Sequence, residues 1–443
     1  MKKQISILLL LCAACFSSCE ETVTMDDSVD VRVDAVIKGY MAELAWAENG
    51  WLAEVMTSEG IYRFYMEFTN NNMVTMYTDN LYYPELNGKP KTSTYNIRSL
   101  QRPTISFDTY SYLAIINDPD NSISGGTENE GLKTDFEFEV EDYTNGVFNL
   151  TGRVNRVPAT FRKATAEEAA TVKAGGLMDV LNNTVNYRSG EFCYFLVGET
   201  HVGAILNSRS VSLSYLEADG VTVVETSGQT RTELNNDVEL LKPLTVAGKQ
   251  LTGFTWDASA KAFSAIVDGT PTLLDAQADP IIPLHKMLGP GKNYTELASL
   301  LSMYPSTAAS ENQFGYLYNQ TNAALTSRFN LPLQQVTLNF IYTENGSPRM
   351  TMEYVAGGYS GWFTYYLTFN QEEDQFTISK LTFEDDAYGN GALFYSASTA
   401  LADFWVGKTF KIEWTSVVFG SYTMGQVSLV GGSTPAEFYG ACF

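Results

Sequence analysis

The chain has 443 residues, with 28 Lys and Arg against 51 Asp and Glu and a formal net charge of −23. So acidic a chain repels phosphate backbones, and no basic patch with interleaved aromatics offsets this, which excludes nucleic-acid binding. Only His201 and His285 are available as imidazoles, without His-Glu-x-x-His or Cys-x-x-Cys, which argues against a zinc hydrolase.

Residues 1–18 read as a lipoprotein signal peptide: Lys2 and Lys3, an apolar run from Ile5 to Cys15, then Phe16-Ser17-Ser18 before Cys19. The run is too short to cross a bilayer, which takes about 20 residues. Cys19 is the expected lipid attachment site, and the acyl chains of a bacterial lipoprotein would hold the protein at a membrane. Cys15, behind Ala13 and Ala14, competes for this role, but cleavage there would leave a very short apolar region. Residues 19–30 form the lipidated tether.

The stretch from Asp30 to Ala47 puts Val33, Val36, Ile37, Tyr40, Leu44 and Ala45 on one helical stripe. Strand alternation follows in Tyr62-Arg63-Phe64-Tyr65-Met66-Glu67-Phe68, with a turn at Asn70–Asn72. Phe136-Glu-Phe-Glu-Val-Glu141 is expected to bury its aromatics and solvate its glutamates, and Asn145-Gly146 supplies a positive-φ hairpin turn. Thr165 and Glu168 form a capping-box pattern opening a helix to about Gly175 that resumes through Leu181. Further hairpins are expected over 193–224, 251–267, 336–355, 362–383 and 409–430, with a third helix over Tyr294–Leu301.

The expected fold class is α+β, predominantly antiparallel β, built of helix-plus-β-meander units as lipocalin-like barrel or sandwich domains. The units are 31–165, 166–280 and a C-terminal β domain at 333–443, with 281–332 a helical and irregular connector. Cys193 and Cys442 are the thiols left after the leader and anchor, and are candidates for a disulfide tying down the chain end. A Cys193/His201 nucleophile pair is conceivable on adjacent strands but lacks a local signature.

Several motifs together resemble one family. They are Gly50-Trp51 after the first helix, Leu100-x-x-Pro103-x-Ile105-Ser-Phe-Asp-Thr-Tyr110, Asp118-Pro119, Gly131-Leu132-x-x-Asp135-Phe-Glu-Phe138, and Leu150-Thr-Gly-Arg153 closing into Pro158-Ala-Thr160. The chain is identified as a member of the Bacteroidetes lipoprotein family known as domain of unknown function 4302, most clearly between residues 30 and 165. The resemblance implies an outer-membrane lipoprotein encoded beside nutrient-import systems with a TonB-dependent transporter. Glu20, Glu21, Asp26 and Asp27 behind Cys19 resemble the export signal that sends such lipoproteins to the cell surface. No catalytic or binding residue carries over.

Three aromatic groups fall in expected loops: Tyr82 and Tyr83; Tyr359 and Trp362; and Tyr388 with Asp385 and Asp386. An aromatic face beside Asp or Asn suits a sugar ring and its hydroxyls, so these are the candidate ligand-binding residues. Asp118, Asp120 and Asn121 are the candidate calcium ligands, although the segment departs from the EF-hand pattern. The expected function is non-catalytic: glycan or peptide binding as an accessory of the transporter. The alternatives are a structural or adhesin-like protein binding protein partners, and a carboxylate-dependent hydrolase, for which no pair of acids stands out.

Overall fold

The computed structural model describes residues 29–80, 88–108, 111–304, 308–342, 346–369, 374–383, 389–420 and 422–443. Two compact units divide the chain between Asp179 and Val180.

The first unit opens with α1 (Val29–Ala45) and a meander of β1 (Trp51–Thr57), β2 (Gly60–Phe68), β3 (Met73–Thr78), β4 (Lys91–Ser99) and β5 (Pro103–Phe107). Two short helices, α2 (Tyr112–Ile116) and α3 (Asn121–Ser124), precede β6 (Glu137–Thr144), β7 (Val147–Gly152) and β8 (Pro158–Lys163). β8 pairs back onto β1, with Trp51 opposite Lys163, so the eight strands close into a barrel. Closure removes the unpaired edges that an open sheet presents. The interior is filled: Phe68, Tyr95, Phe107, Phe138 and Phe161 form a chain of ring contacts 4.8–6.5 Å apart, each ring at most 6% exposed. Edge contacts of this kind contribute about 0.5–1.5 kcal/mol each beyond burial. The indole of Trp51 donates to the Leu44 carbonyl (3.0 Å), which seats α1 on the barrel. Ile37 and Leu44 are buried there, whereas Val36, expected on the same stripe, faces solvent.

The hairpin turn at Asn145-Gly146 has φ of 54° and 79°, and Thr165 and Glu168 form the capping box expected of them. That box starts α4 (Ala166–Lys173), and Gly175 at φ 105° separates it from α5 (Gly176–Val185). Phe136 does not face inward. β6 begins one residue later and leaves its ring 45% exposed. The glutamates that follow lie beneath arginines: Glu137 pairs with Arg98 and Arg153, Glu139 with Arg156, and Glu141 with Arg102.

The second unit contains two further sheets. The first runs β9 (Phe192–Val197), β10 (Thr200–Leu206), β11 (Ser210–Leu216), β12 (Val223–Thr232), β13 (Val238–Val246), β14 (Lys249–Asp257), β15 (Ala262–Val267), β16 (Thr270–Leu273) and β17 (Asp275–Gln277). β16 and β17 lie at opposite edges of the sheet but are consecutive in the chain. Residues 270–273 pair with β15, and residues 275–277 pair with β9, so one extended segment broken at Leu274 curls the meander onto itself. The second sheet follows a one-turn helix, α6 (Leu284–Met287). Its strands are β18 (Glu296–Leu300), β19 (Leu333–Tyr342), β20 (Pro348–Ala356), β21 (Tyr359–Phe369), β22 (Gln375–Thr382), β23 (Thr409–Trp414), β24 (Met424–Leu429) and β25 (Glu437–Cys442). It also closes into a barrel, through β18 and β25.

Two long helices belong to that last barrel, α7 (Gln313–Phe329) and α8 (Asn390–Phe404). Asn312 caps α7 by accepting from the N–H groups of Phe314 and Gly315, and also exchanges bonds with the backbone of Glu437 on β25. The Tyr365 hydroxyl reaches the Ala402 carbonyl on α8 at 2.9 Å. Gly361 lets α8 approach β21, since a β-carbon there would meet the Phe394 ring at 2.3 Å.

The helix expected over Tyr294–Leu301 is a strand instead, β18, followed by one 3-10 turn from Leu301 to Met303. Leu297 and Ser299 are buried, and the segment pairs with residues 335–339 and 441–442. Distant pairing overrides the local helix preference of Glu, Leu and Ala. The segment 281–332 thus holds α6, β18 and α7.

Candidate functional site

Residues 270–294 set up the site, because the chain leaves one sheet of the second unit there and enters the next. After β17 the segment Pro280-Ile281-Ile282-Pro283 runs as a strap into α6. Gly425 on β24 lets the end of the strap lie close, since a β-carbon there would meet Leu284 at 2.4 Å. Gly203 on β10 faces Ile281, which a β-carbon would touch at an ordinary 3.5 Å. The indole Nε1 of Trp414 donates to the Ile282 carbonyl at 2.8 Å and fixes the strap's height.

Between the strap and the outer face of β9–β12 lies a cleft of about 400 Å³. Phe192, Ile205, Ile281, Ile282, Tyr294 and Trp414 supply much of its apolar lining. Ile205 is 62% exposed, an uncommon position for a large aliphatic side chain. Its ionic lining groups among the described residues are Arg188, Glu191 and Glu225. Glu225, Ser214 and Gly203 sit directly opposite one another on β12, β11 and β10, so they occupy one rung of one face. At one end, Arg188 lies 3.8 Å from both Glu191 and Asp275. Glu225 and Tyr294 line the same cleft, and the Tyr294 hydroxyl is pushed up chiefly by burial, then by Cys442 and Glu225. Glu191 immediately precedes β9 and Glu225 lies on β12, strands that are three spacings, about 14 Å, apart along the sheet. That exceeds the roughly 5–9.5 Å at which two carboxylates act on one glycosidic bond.

A second, more open groove of about 570 Å³ is lined by Asn183, Asn186, Tyr187, Arg188, Trp256, Ala258 and Lys261. Tyr187 and Arg188 border both depressions. The Tyr187 hydroxyl donates to the Leu274 carbonyl (3.2 Å) and accepts from the Phe263 N–H (3.4 Å), which pins it to the sheet's closing segment. Its ring meets Phe263 at 5.0 Å and Trp256 at 6.2 Å, both edge-on. Asn183 donates to Asn236, and Asn186 to the Asn182 carbonyl, so both amides are held in place. An indole beside oriented amides and a lysine can stack a flat ring face and bond its polar substituents.

The candidates read from the sequence lie elsewhere. Tyr359 and Trp362 are not loop residues. Gly357 and Gly358, at φ 57° and 84°, make a two-residue turn, and both aromatics lie within β21. Three positions apart on a strand, they project from opposite faces and cannot form one stacking platform. Cys19, Tyr82, Tyr83, Asp385, Asp386 and Tyr388 lie outside the described residues. In the candidate calcium loop, Asp118 accepts from the Asp120 N–H, and Asp120 accepts from the N–H and hydroxyl of Ser122 to cap α3. Among the described residues no group of three or more His, Cys, Asp and Glu side chains is placed to hold a metal ion.

Cys193 and Cys442 are both free thiols. Cys193 packs toward the core of its sheet, whereas His201, opposite Leu196 on the β9–β10 hairpin, is exposed on the other face. Three rungs and a sheet separate them, so they cannot act as nucleophile and base.

No local pattern marks the cleft, because its residues come from widely separated stretches between Val185 and Thr423. The one available signal was Pro280-Ile-Ile-Pro-Leu, an apolar run between prolines, which reads in isolation as a junction.

Fold and cleft together define a β-meander protein of barrel-type sheets carrying a concave, largely apolar recess. Residues 21–258 match the family described as domain of unknown function (DUF4302), and the chain belongs to that family. No curated protein matches it. Solved structures with some similarity include the DNA polymerase sliding clamp from Pseudomonas aeruginosa with ligand (8% identity, 93% of this chain and 97% of that chain, TM-score 0.13). Another is the DNA polymerase III beta subunit from Thermotoga maritima (8% identity, 93% and 98% of the two chains, TM-score 0.11). The Helicobacter pylori beta clamp bound to DNA ligase peptide is a third (9% identity, 94% and 98%, TM-score 0.13). Likeness at that TM-score carries no argument about this chain.

Proposed function

We propose that this protein is a non-catalytic capture protein: an outer-membrane surface lipoprotein, anchored through Cys19, that binds glycan or peptide as an accessory of a TonB-dependent nutrient import system. The anchor reading rests on residues 1–27 of the sequence. The ligand-binding reading is supported by one observation above the rest, the pair of depressions on either side of Tyr187 and Arg188. Their size lies within the roughly 300–1,000 Å³ usual for ligand sites, and their walls combine aromatic faces with a few polar groups. The wide separation of Glu191 and Glu225 favours capture over hydrolysis.

Soluble residues 20–443 probed on arrays of host and plant glycans and of peptides test the reading. Specific binding that weakens in Trp256→Ala or Ile205→Ser supports capture and assigns it to the groove or the cleft. Silence across both arrays refutes it. Protease shaving of intact cells tests the outward orientation, since a periplasmic protein survives that treatment.

A second reading, binding of protein partners, is supported by Trp46, 74% exposed just after α1, and by exposed Val31 and Val36 on that helix. Pulling the lipoprotein out of outer membranes would identify such a partner.

A further inference from the structure

We infer that the apolar cleft takes a cationic, aliphatic ligand, a peptide segment in which Lys or Arg adjoins a bulky apolar residue. The inference rests on the capture reading and specifies what the cleft captures.

The lining of the cleft and its charge carry it. The cleft wall is mainly apolar, with exposed Ile205 facing the strap residues Ile281 and Ile282. Sugar hydroxyls would be poorly served there, because desolvated polar groups without partners cost about 1–3 kcal/mol each. The Trp414 N–H is already committed to the Ile282 carbonyl, so that side chain presents its ring rather than a donor. Tyr294 stands perpendicular to it, ring centres 6.3 Å apart at 88°, and the two form a corner of aromatic surface. Aromatic faces attract cations through their quadrupole.

Charge gives the sign. Arg188 already lies between Glu191 and Asp275, which leaves it little net attraction for a further anion. Glu225 is exposed and, among the described residues, has no ion-pair or hydrogen-bond partner. It stands on the same rung as Ser214 and Gly203 and lines the cleft together with Tyr294. An ammonium or guanidinium placed there would meet an unpaired carboxylate and an aromatic hydroxyl, while its aliphatic neighbour covered Ile205. The chain's net charge of −23 attracts the same ligands from a distance.

The test titrates soluble residues 20–443 with three end-blocked tetrapeptides, Leu-Lys-Leu-Lys, Leu-Gln-Leu-Gln and Leu-Glu-Leu-Glu, by calorimetry at low and high salt. The expected result is about tenfold tighter binding of the lysine peptide than of the glutamine peptide at low salt, with no response to the acidic one. High salt should shrink that preference by screening the exposed charges. Glu225→Gln should remove most of the preference, and Ile205→Ser should weaken binding of both responding peptides. Glu199→Gln, which changes net charge equally at the exposed β9–β10 turn, should leave the preference intact. Equal binding of the three peptides, or a preference that survives Glu225→Gln, overturns the inference. Glycan binding with no peptide response overturns it too, yet leaves capture standing. Silence from peptides and glycans alike overturns both.

Discussion

Asp79 grips Arg63 at two points: one carboxylate oxygen accepts the Arg63 backbone N–H at 3.0 Å, and the other lies 3.3 Å from the guanidinium Nε. Both residues are under a tenth exposed, and Arg63 lies on the outer side of β2, whose other face fills the first barrel. Among the described residues the Nη2 of Arg63 is buried without a hydrogen-bond acceptor, so the charge depends heavily on Asp79. Removing one partner of such a pair leaves an uncompensated buried ion. Asp79→Ala is expected to cost about 3–5 kcal/mol, whereas Arg63→Leu with Asp79→Leu should cost much less. Urea unfolding of the two variants decides the point, and a loss below about 1 kcal/mol in Asp79→Ala would contradict it.

Trp414 and Ile282 make a separable prediction. Trp414→Phe keeps an aromatic ring at the cleft but leaves the buried Ile282 carbonyl without its donor, at a cost of about 1–3 kcal/mol. Calorimetric melting should fall by about 2–4 °C per kcal/mol for a unit of this size. An unchanged melting temperature would mean that the strap does not need this bond.

Glu168 links stability to acid pH. Hydrogen bonds from Arg162 at 2.7 and 3.0 Å, and then from the Thr165 N–H, hold its carboxyl below the ordinary 4.5. A carboxyl lowered in the fold stabilises it at pH above the unfolded value and loses that contribution as pH falls through the folded one. The stability difference between the native chain and Glu168→Gln, about 0.5–1 kcal/mol for a partly exposed pair, should therefore be full at pH 7 and decline below about pH 4.5. Thr165→Ala should cost about 1 kcal/mol through the lost cap. Chemical denaturation at pH 7, 4.5 and 3 measures both, and a difference that grows on acidification would reverse the sign argued here.

The two thiols should behave unequally. Burial pushes Cys442 up to about 12, so almost none is thiolate at pH 8. Cys193 is also raised by burial but is only half-buried. Iodoacetamide should label Cys193 about tenfold faster, and Cys442 only after unfolding. Mass spectrometry without reductant should find no Cys193–Cys442 bridge, and equal labelling rates would contradict the buried placement of Cys442.

What the sequence reveals here is what recurs locally. Phe64, Met66 and Phe68 alternate with polar neighbours, Asn145-Gly146 needs its turn, and Thr165 and Glu168 bond within one helical turn. Each signal spans a few residues, and each structural outcome matches. Glu296–Leu300 was illegible because its strand identity comes from partners about 40 and 140 residues downstream, while its own composition favours a helix. Closure of the sheets is likewise a property of first and last strands, not of any window between them. The cleft is the extreme case. Ile205, Glu225, Tyr294 and Trp414 look like ordinary strand or loop residues until the strap brings them together. Tyr359 and Trp362 misled in the opposite direction, since a Gly-Gly pair read as loop is only the turn of a long hairpin.

Leu274 gives the nine-stranded sheet a clasp where each of the two barrels has a seam. The segment on its far side, 275–277, is held to β9 by three residue pairs, and the strap begins three residues later. Tension on the strap would be borne first by those three pairs. Their peeling would open the sheet along β9 alone, while β10 to β16 stayed zipped to one another. That three-pair joint thus lies in series with the wall of the cleft.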